Sequence, residues 1–288
     1  MRASDPHRYP HRIVCLTEET TETLYLMEED WRIVGISGFT VRPTRARKEK
    51  PKVSAFTSAK IEPICALKPD LVLGFSDLQA DIAASLIKRG LDVFVFNHRD
   101  IAGIFKMIRI VGGLIGCQEK AERLCEQLQG GLDRVRESAS HFAVRPVVYF
   151  EEWDDPLIAG SRWVSELVEV AGGQDCCSDY AQHSLGKDRI IADPAEIVRR
   201  SPDIILGSWC GKKFRPEIVA RRSGWGDVPA VRDGQLHEVK SPLILQPGPA
   251  ALTDGVARIH EVLSRWQIDR RNTAAFAPSG DEETRSDL

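Results

Sequence analysis

The chain has 288 residues, enough for two domains that each bury a core. Its 39 basic and 42 acidic side chains leave a formal charge of -3, without the basic excess that phosphate binding needs, so nucleic acid is excluded as a main partner. No stretch approaches the roughly 20 apolar residues of a membrane span, and the seven cysteines form neither a CxxC pair nor a disulfide framework.

Met1 to His11 is polar, carries Pro6 and Pro10 and offers no apolar secretory core, which predicts a cytoplasmic protein as written, or a periplasmic or cell-envelope one if the start is truncated. Apolar runs then predict strands at 12–17, 33–37, 70–74 and 92–96, alternating with helices, the pattern of a parallel sheet wrapped by helices. Ser37 to Ser58 reads as a long charged loop with Pro43, Pro51 and the basic run Arg42, Arg45, Arg47, Lys48, Lys50 and Lys52, a solvated loop or an edge contact for an acidic ligand group. From Cys117 to Phe142 apolar residues recur in steps of three and four, one amphipathic helix despite Gly130 and Gly131. At 1.5 Å per residue such a helix spans roughly 37 Å, enough to cross a lobe as a stiff connector.

The second half repeats the alternation, with strands at 146–150, 203–207 and 235–239 and helices at 161–171, 194–200 and 250–265. The expected fold class is α/β: two lobes with mainly parallel sheets flanked by helices, joined by one long rigid helix. Its divisions are an N-terminal lobe over 12–114, the connector over 115–142, a C-terminal lobe over 143–266, and a polar, aperiodic tail over 267–288 read as disordered.

One phrase occurs twice, about 130 residues apart. Leu67-Lys68-Pro69-Asp70-Leu71-Val72-Leu73-Gly74-Phe75-Ser76 matches Arg200-Ser201-Pro202-Asp203-Ile204-Ile205-Leu206-Gly207-Ser208-Trp209. Proline disfavours helical geometry in the residue before it, so a helix ends there and an apolar strand follows. Ligands of open α/β sheets bind outside the carboxyl ends of the strands. Two equivalent lobes therefore imply a ligand cleft between those ends.

The organisation resembles the class III substrate-binding proteins of ABC importers, which carry cobalamin, iron-siderophores and haem, over about residues 12–265, with the cobalamin-binding branch nearest. Ile13-Val14-Cys15-Leu16-Thr17-Glu18-Glu19-Thr20-Thr21-Glu22-Thr23-Leu24 looks like the family's opening strand, cleft loop and helix. Ile61 to Val72 resembles its next signature, and Leu167-Val168-Glu169-Val170-Ala171-Gly172-Gly173 its second-lobe helix end. The resemblance implies a non-catalytic, monomeric protein that binds a macrocycle, with an ABC permease as partner. Acids docking on permease arginines would fall at Glu62 and Glu196, and the cleft-facing loop before the last helix at Gln246 and Gly248.

The remaining candidates follow from their places after strands. Thr17 and Glu18 follow the first strand; Phe75, Ser76 and Asp77 follow the first repeat. Asn97 and His98 follow strand 92–96, and His98 is the candidate axial ligand for cobalt or iron, since neutral imidazole suits both. In the second lobe Glu151-Glu152-Trp153-Asp154-Asp155 reads as a loop, with Trp153 as a flat platform and Glu152 and Asp155 as acceptors for amide arms. Trp209 is expected to stack beside Trp153, with Cys210 next to it as a soft donor. The leading ligand is a cobalamin-like corrinoid, with iron-siderophore or haem as alternatives. A metal-assisted hydrolase or corrinoid-modifying enzyme using the acidic cluster competes, although GxSxG, HExxH and P-loop signatures are lacking. A protein-interaction module is the third class.

Overall fold

The structure, a computed structural model, describes residues 8–275. In chain order the first half forms β1 (Ile13–Cys15), α1 (Glu18–Leu26), β2 (Ile33–Ser37), α2 (Ala46–Glu49), β3 (Lys52–Ser54), α3 (Ile61–Ala66), β4 (Leu71–Phe75), α4 (Ala80–Ile87), β5 (Val93–Phe96) and α5 (Ile101–Leu114). These strands make an all-parallel sheet in the order β3-β2-β1-β4-β5. Central β1 is wholly buried because helices cover both faces, which is why its residues are apolar without alternation.

The stretch from 37 to 58 is not the bare loop expected from its charge. It holds α2 and the edge strand β3, and its basic residues are tethers. Arg42 pairs with Glu22 and Asp254, Arg47 donates to the Gly38 and Thr40 carbonyls, and Lys50 donates to that of Asp30.

The expected long helix is α6 (Gln118–Ala139). Ala121, Leu124, Cys125, Leu128 and Leu132 form its buried stripe. The second half then runs β6 (Val147–Asp154), β7 (Leu157–Ala159), α7 (Arg162–Val170), β8 (Gln174–Asp175), α8 (Ala195–Arg200), β9 (Ile204–Gly207), α9 (Pro216–Ala220), α10 (Pro229–Arg232), β10 (Leu236–Glu238), α11 (Ser241–Ile244) and α12 (Val256–Ala275). The sheet order is β10-β9-β6-β7, with β8 also on β6, and every pairing is parallel except the β6–β7 hairpin.

Two boundaries differ from expectation. Residues 151–154 continue β6 because β7 folds back to pair with them. The last helix opens with a π turn at Ala251–Gly255 and continues to Ala275, so 267–275 is helical rather than tail; 276–288 lies outside the described residues. Among the described residues no helix is long and apolar enough to cross a membrane.

The repeated phrase does the same work twice. Asp70 accepts the backbone N–H groups of His11 and Arg12, each at 2.8 Å, while its own N–H reaches the Arg12 carbonyl. Asp203 accepts from Val147 at 2.8 Å and returns a bond to the Val147 carbonyl. In each lobe the Pro-Asp phrase thus anchors the start of the neighbouring strand. The preceding residues, Lys68 and Ser201, share left-handed backbone at φ 48° and 49°. One apolar core runs through both sheets, from Ile13 and Leu73 to Val148 and Ile204, by way of α5, α6, α7 and α12.

Candidate functional site

The loop ahead of α12 packs on the first lobe. His98 Nε2 donates to the Pro247 carbonyl at 2.7 Å, and the Ala250 N–H donates to Glu22 at 3.0 Å. A Cβ on Gly248 would lie 2.4 Å from that of Glu19, so only glycine lets this loop approach α1 so closely. The cleft is therefore drawn together around α1, and the side chains at its edges divide by lobe.

In the first lobe, Thr17 caps α1 in extended geometry and its hydroxyl donates to Glu19. Thr17 is fully buried and Glu18 nearly so. Burial raises the Glu18 carboxyl and lifts that of Glu19 to about 8, and Glu19 Oε2 has no hydrogen-bond partner among the described residues. After β4, Phe75 and Ser76 are buried; Ser76 sits at φ 67° and its Oγ accepts the Leu78 N–H. Asp77 is exposed and pairs with Arg99 at 3.3 Å, while the Arg99 guanidinium lies 4.9 Å from the Phe75 ring centroid. After β5, Asn97 is exposed, and His98 is held edge-on between Phe75 and Phe96.

In the second lobe the acids are matched by bases. Glu151 is fully buried, takes two bonds from Arg222 and one from Trp209 Nε1. Glu152 takes a two-pronged bond from Arg189 at 2.7 and 3.0 Å. Asp154 pairs with Lys212 at 2.5 Å. Asp155 stands exposed at the hairpin turn, where its carbonyl accepts Trp153 Nε1 at 2.8 Å. The hydrolase reading needed these acids free for a substrate or metal; three of the four are bound to cations instead.

The tryptophans separate. Trp153 is half-buried on the hairpin, but Trp209 is 2 % exposed, packed against Phe214 within the lobe core. Their expected stacking gives way to a shared cation: the Lys212 ammonium lies 4.2 Å from the Trp153 ring centroid and 5.1 Å from that of Trp209. Cys210 is exposed, and burial of its thiol together with Glu152 and Glu18 raises its pKa. Gln246 is half-buried beside the inter-lobe loop.

His98 differs from its expected role in one respect. Nε2 is spent on Pro247, and Nδ1 is buried without a partner among the described residues. Burial lowers its pKa, which keeps the ring neutral. The expected docking acids are unequal: Glu62 is 74 % exposed beside Arg89, whereas Glu196 is held by Tyr180 and Arg200.

Sequence reasoning placed Arg99 beside His98 after strand 92–96 without giving it a role, and passed over Arg189. Arg189 lies in an aperiodic stretch, and only the fold brings it to Glu152. A groove of about 1280 Å³ lies away from the cleft, where α5, α6 and α7 meet, lined by Phe105, Cys125 and Gly130 and edged by Arg109 and Arg145. None of the sequence-predicted site residues lines it.

The chain belongs to the periplasmic binding protein family, whose pattern matches residues 13–243. It is 25 % identical over 261 residues to an uncharacterised ABC transporter substrate-binding lipoprotein, YvrC, of Bacillus subtilis, covering 88 % of this chain and 79 % of the relative. It is 23 % identical to a vitamin B12-binding protein of Vibrio campbellii, covering 90 % of each. Among solved structures, the periplasmic vitamin B12 binding protein BtuF of Vibrio cholerae superposes with a TM-score of 0.71 at 19 % identity, over 90 % of this chain and 98 % of that one. Staphylococcus aureus IsdE complexed with haem superposes at 0.73 and 20 % identity, over 88 % and 98 %. These superpositions establish the two-lobe fold.

Proposed function

We propose that this member of the periplasmic binding protein family binds a cobalamin-like corrinoid between its lobes and presents it to an ABC permease, without catalysing a reaction. The observation that carries the reading is the packing of the 247–250 loop on α1 and on His98 at the carboxyl end of β5, with half-buried Trp153 on the second-lobe hairpin. A mostly apolar cleft with a few placed polar groups is the usual form of a small-molecule site. The relatives named for cobalamin or vitamin B12 favour the corrinoid over haem or an iron-siderophore. A protein that feeds an importer works on the envelope side, so the reading replaces the cytoplasmic expectation with a periplasmic or cell-envelope one. Glu62 is the better of the two docking acids because its carboxylate stands in solvent.

Aquocobalamin titration followed by absorption tests this. Saturable binding is expected, weakened about tenfold by Trp153→Ala, in line with the loss of roughly 1.4 kcal/mol of ring contact. Trp209→Ala is no probe of the site, since that ring belongs to the core. Axial ligation by His98 would use Nδ1, which keeps its lone pair while Nε2 donates to Pro247, and a displaced axial water in the spectrum of wild type but not His98→Ala reports it. Absence of saturable binding would sink the corrinoid reading.

A further inference from the structure

We propose that Cys176 and Cys177 form a modification site outside the cleft, a vicinal dithiol that a small-molecule disulfide closes reversibly to an intrachain disulfide. All seven cysteines are free thiols, and these two are adjacent in sequence with their Sγ atoms 3.8 Å apart. They follow β8, in the connection from α7 to α8. The Cys176 N–H donates to the Val148 carbonyl, near the amino-terminal start of β6 and at the other end of that strand from Trp153. The peptide joining the two cysteines is gripped on both sides. Its carbonyl, that of Cys176, accepts from Arg200, and its N–H, that of Cys177, donates to Asp175 at 2.9 Å. The Cys177 carbonyl in turn accepts the Ala181 N–H. The backbone is thus held in place while the two sulfurs face each other.

The two thiols are unequal. Cys176 is half-buried and can be reached, whereas Cys177 is 1 % exposed in the core formed with Tyr149, Ile197, Trp209 and Trp225. The hydrogen bond with Cys176, together with burial, raises the Cys177 pKa, so this sulfur keeps its proton until a mixed disulfide stands beside it. In the first step the Cys176 thiolate attacks one sulfur of the small disulfide, whose S–S bond breaks, and one thiol leaves carrying the Cys176 proton. In the second, the Cys177 sulfur attacks Cys176 Sγ, and the second thiol leaves carrying the Cys177 proton. The pair is oxidised by two electrons and the small disulfide is reduced to two thiols. Consecutive Cα atoms lie about 3.8 Å apart across a trans peptide, below the roughly 4.4 to 6.8 Å usual for a disulfide, so the closed ring is strained and easily reduced.

The experiment incubates the reduced full-length protein with oxidised glutathione, alkylates the remaining thiols in denaturant and digests with trypsin. Trypsin releases Trp163 to Lys187 as one peptide, which holds these two cysteines and no other. Wild type is expected to yield that peptide unalkylated and lighter than the dithiol form by two hydrogens, and excess reduced glutathione to restore both alkylation sites. Cys177→Ser is expected to stop at a glutathione adduct on Cys176, and Cys176→Ser to stay unmodified because Cys177 is buried. A wild-type peptide alkylated at both cysteines, or left carrying glutathione on Cys176, overturns the proposal. So does a closed ring that survives excess reduced glutathione, since a strained bond is easily reopened. The wild-type measurement needs no variant, so a serine substitution that fails to fold leaves the test intact.

Discussion

In the second lobe the carboxylates at the cleft edge are used to build the lobe: Glu151 on Arg222 and Trp209, Glu152 on Arg189, Asp154 on Lys212. In the first lobe Glu18 and Glu19 occupy the opening turn of α1, and Glu19 Oε2, His98 Nδ1 and Arg99 Nε are buried without partners among the described residues. The first set follows parallel strand β1 or β5, and the second lies on the carboxyl-terminal half of β6. The difference lies in what carries them. A helix N-terminus favours acids without a counter-ion, whereas acids on the extended β6–β7 hairpin stand beside bases from neighbouring loops. The contrast is one of carboxylates, paired with bases in the second lobe and unpaired at Glu19 in the first, since the second lobe also keeps polar atoms unpartnered among the described residues, Ser208 Oγ and Arg189 Nε among them.

Three perturbations can break or sharpen that contrast. The largest effect is expected from Glu151→Ala, which strands Arg222, a side chain only 15 % exposed, and the Trp209 indole. Removing one partner of a buried pair costs about 3–5 kcal/mol; denaturant unfolding measures it, and a loss below about 1 kcal/mol would mean the acids of this lobe are not structural.

Next come the equivalent glycines of the repeat. A Cβ at Gly207 would sit 1.9 Å from the Phe214 ring, while one at Gly74 would meet Gln79 Oε1 at 2.9 Å. Gly207→Ala should cost about 1–3 kcal/mol or more through overpacking. Gly74→Ala should cost less, because an amide can turn aside where a buried ring cannot. Equal losses in thermal unfolding would show the two repeats to be packed alike.

The third effect is electrostatic and shows as a pH dependence. Glu19 titrates near 8 when folded, against an ordinary value of 4.5, so the folded chain holds a proton that the unfolded chain releases. Stability from this group is therefore greatest below about pH 4.5, falls as pH rises toward 8, and levels off above it. Glu19→Gln keeps the shape without the charge and should flatten that part of the pH–stability curve. A slope unchanged by the substitution would place the titrating group elsewhere.

How much was legible in the sequence depends on the range of the interaction. Strands β1, β2, β4, β5, β6 and β9, the long helix α6 and the repeated Pro-Asp phrase were readable, because apolar runs, a 3.6-residue stripe and proline's backbone restriction are local properties. The positions of Thr17, Ser76, Asp77, His98 and Cys210 just past a strand followed from the same local rule. The hairpin that turns 151–154 into strand, the edge strand β3 and the helical 267–275 were not readable, since each is held by residues distant in sequence. The partners of charge were hidden most completely. Whether Glu151 is free or bound depends on Arg222, and whether Trp209 is a platform or core depends on Phe214 and Glu151.

The sequence by itself thus determined two α/β lobes, a stiff helix between them and a cleft at their strand ends, because periodicity and backbone chemistry act over a few residues. Only the tertiary structure decided which polar side chains at that cleft remain unsatisfied. Burial and pairing are set by side chains from both lobes arriving at one place, and no window of sequence contains them together.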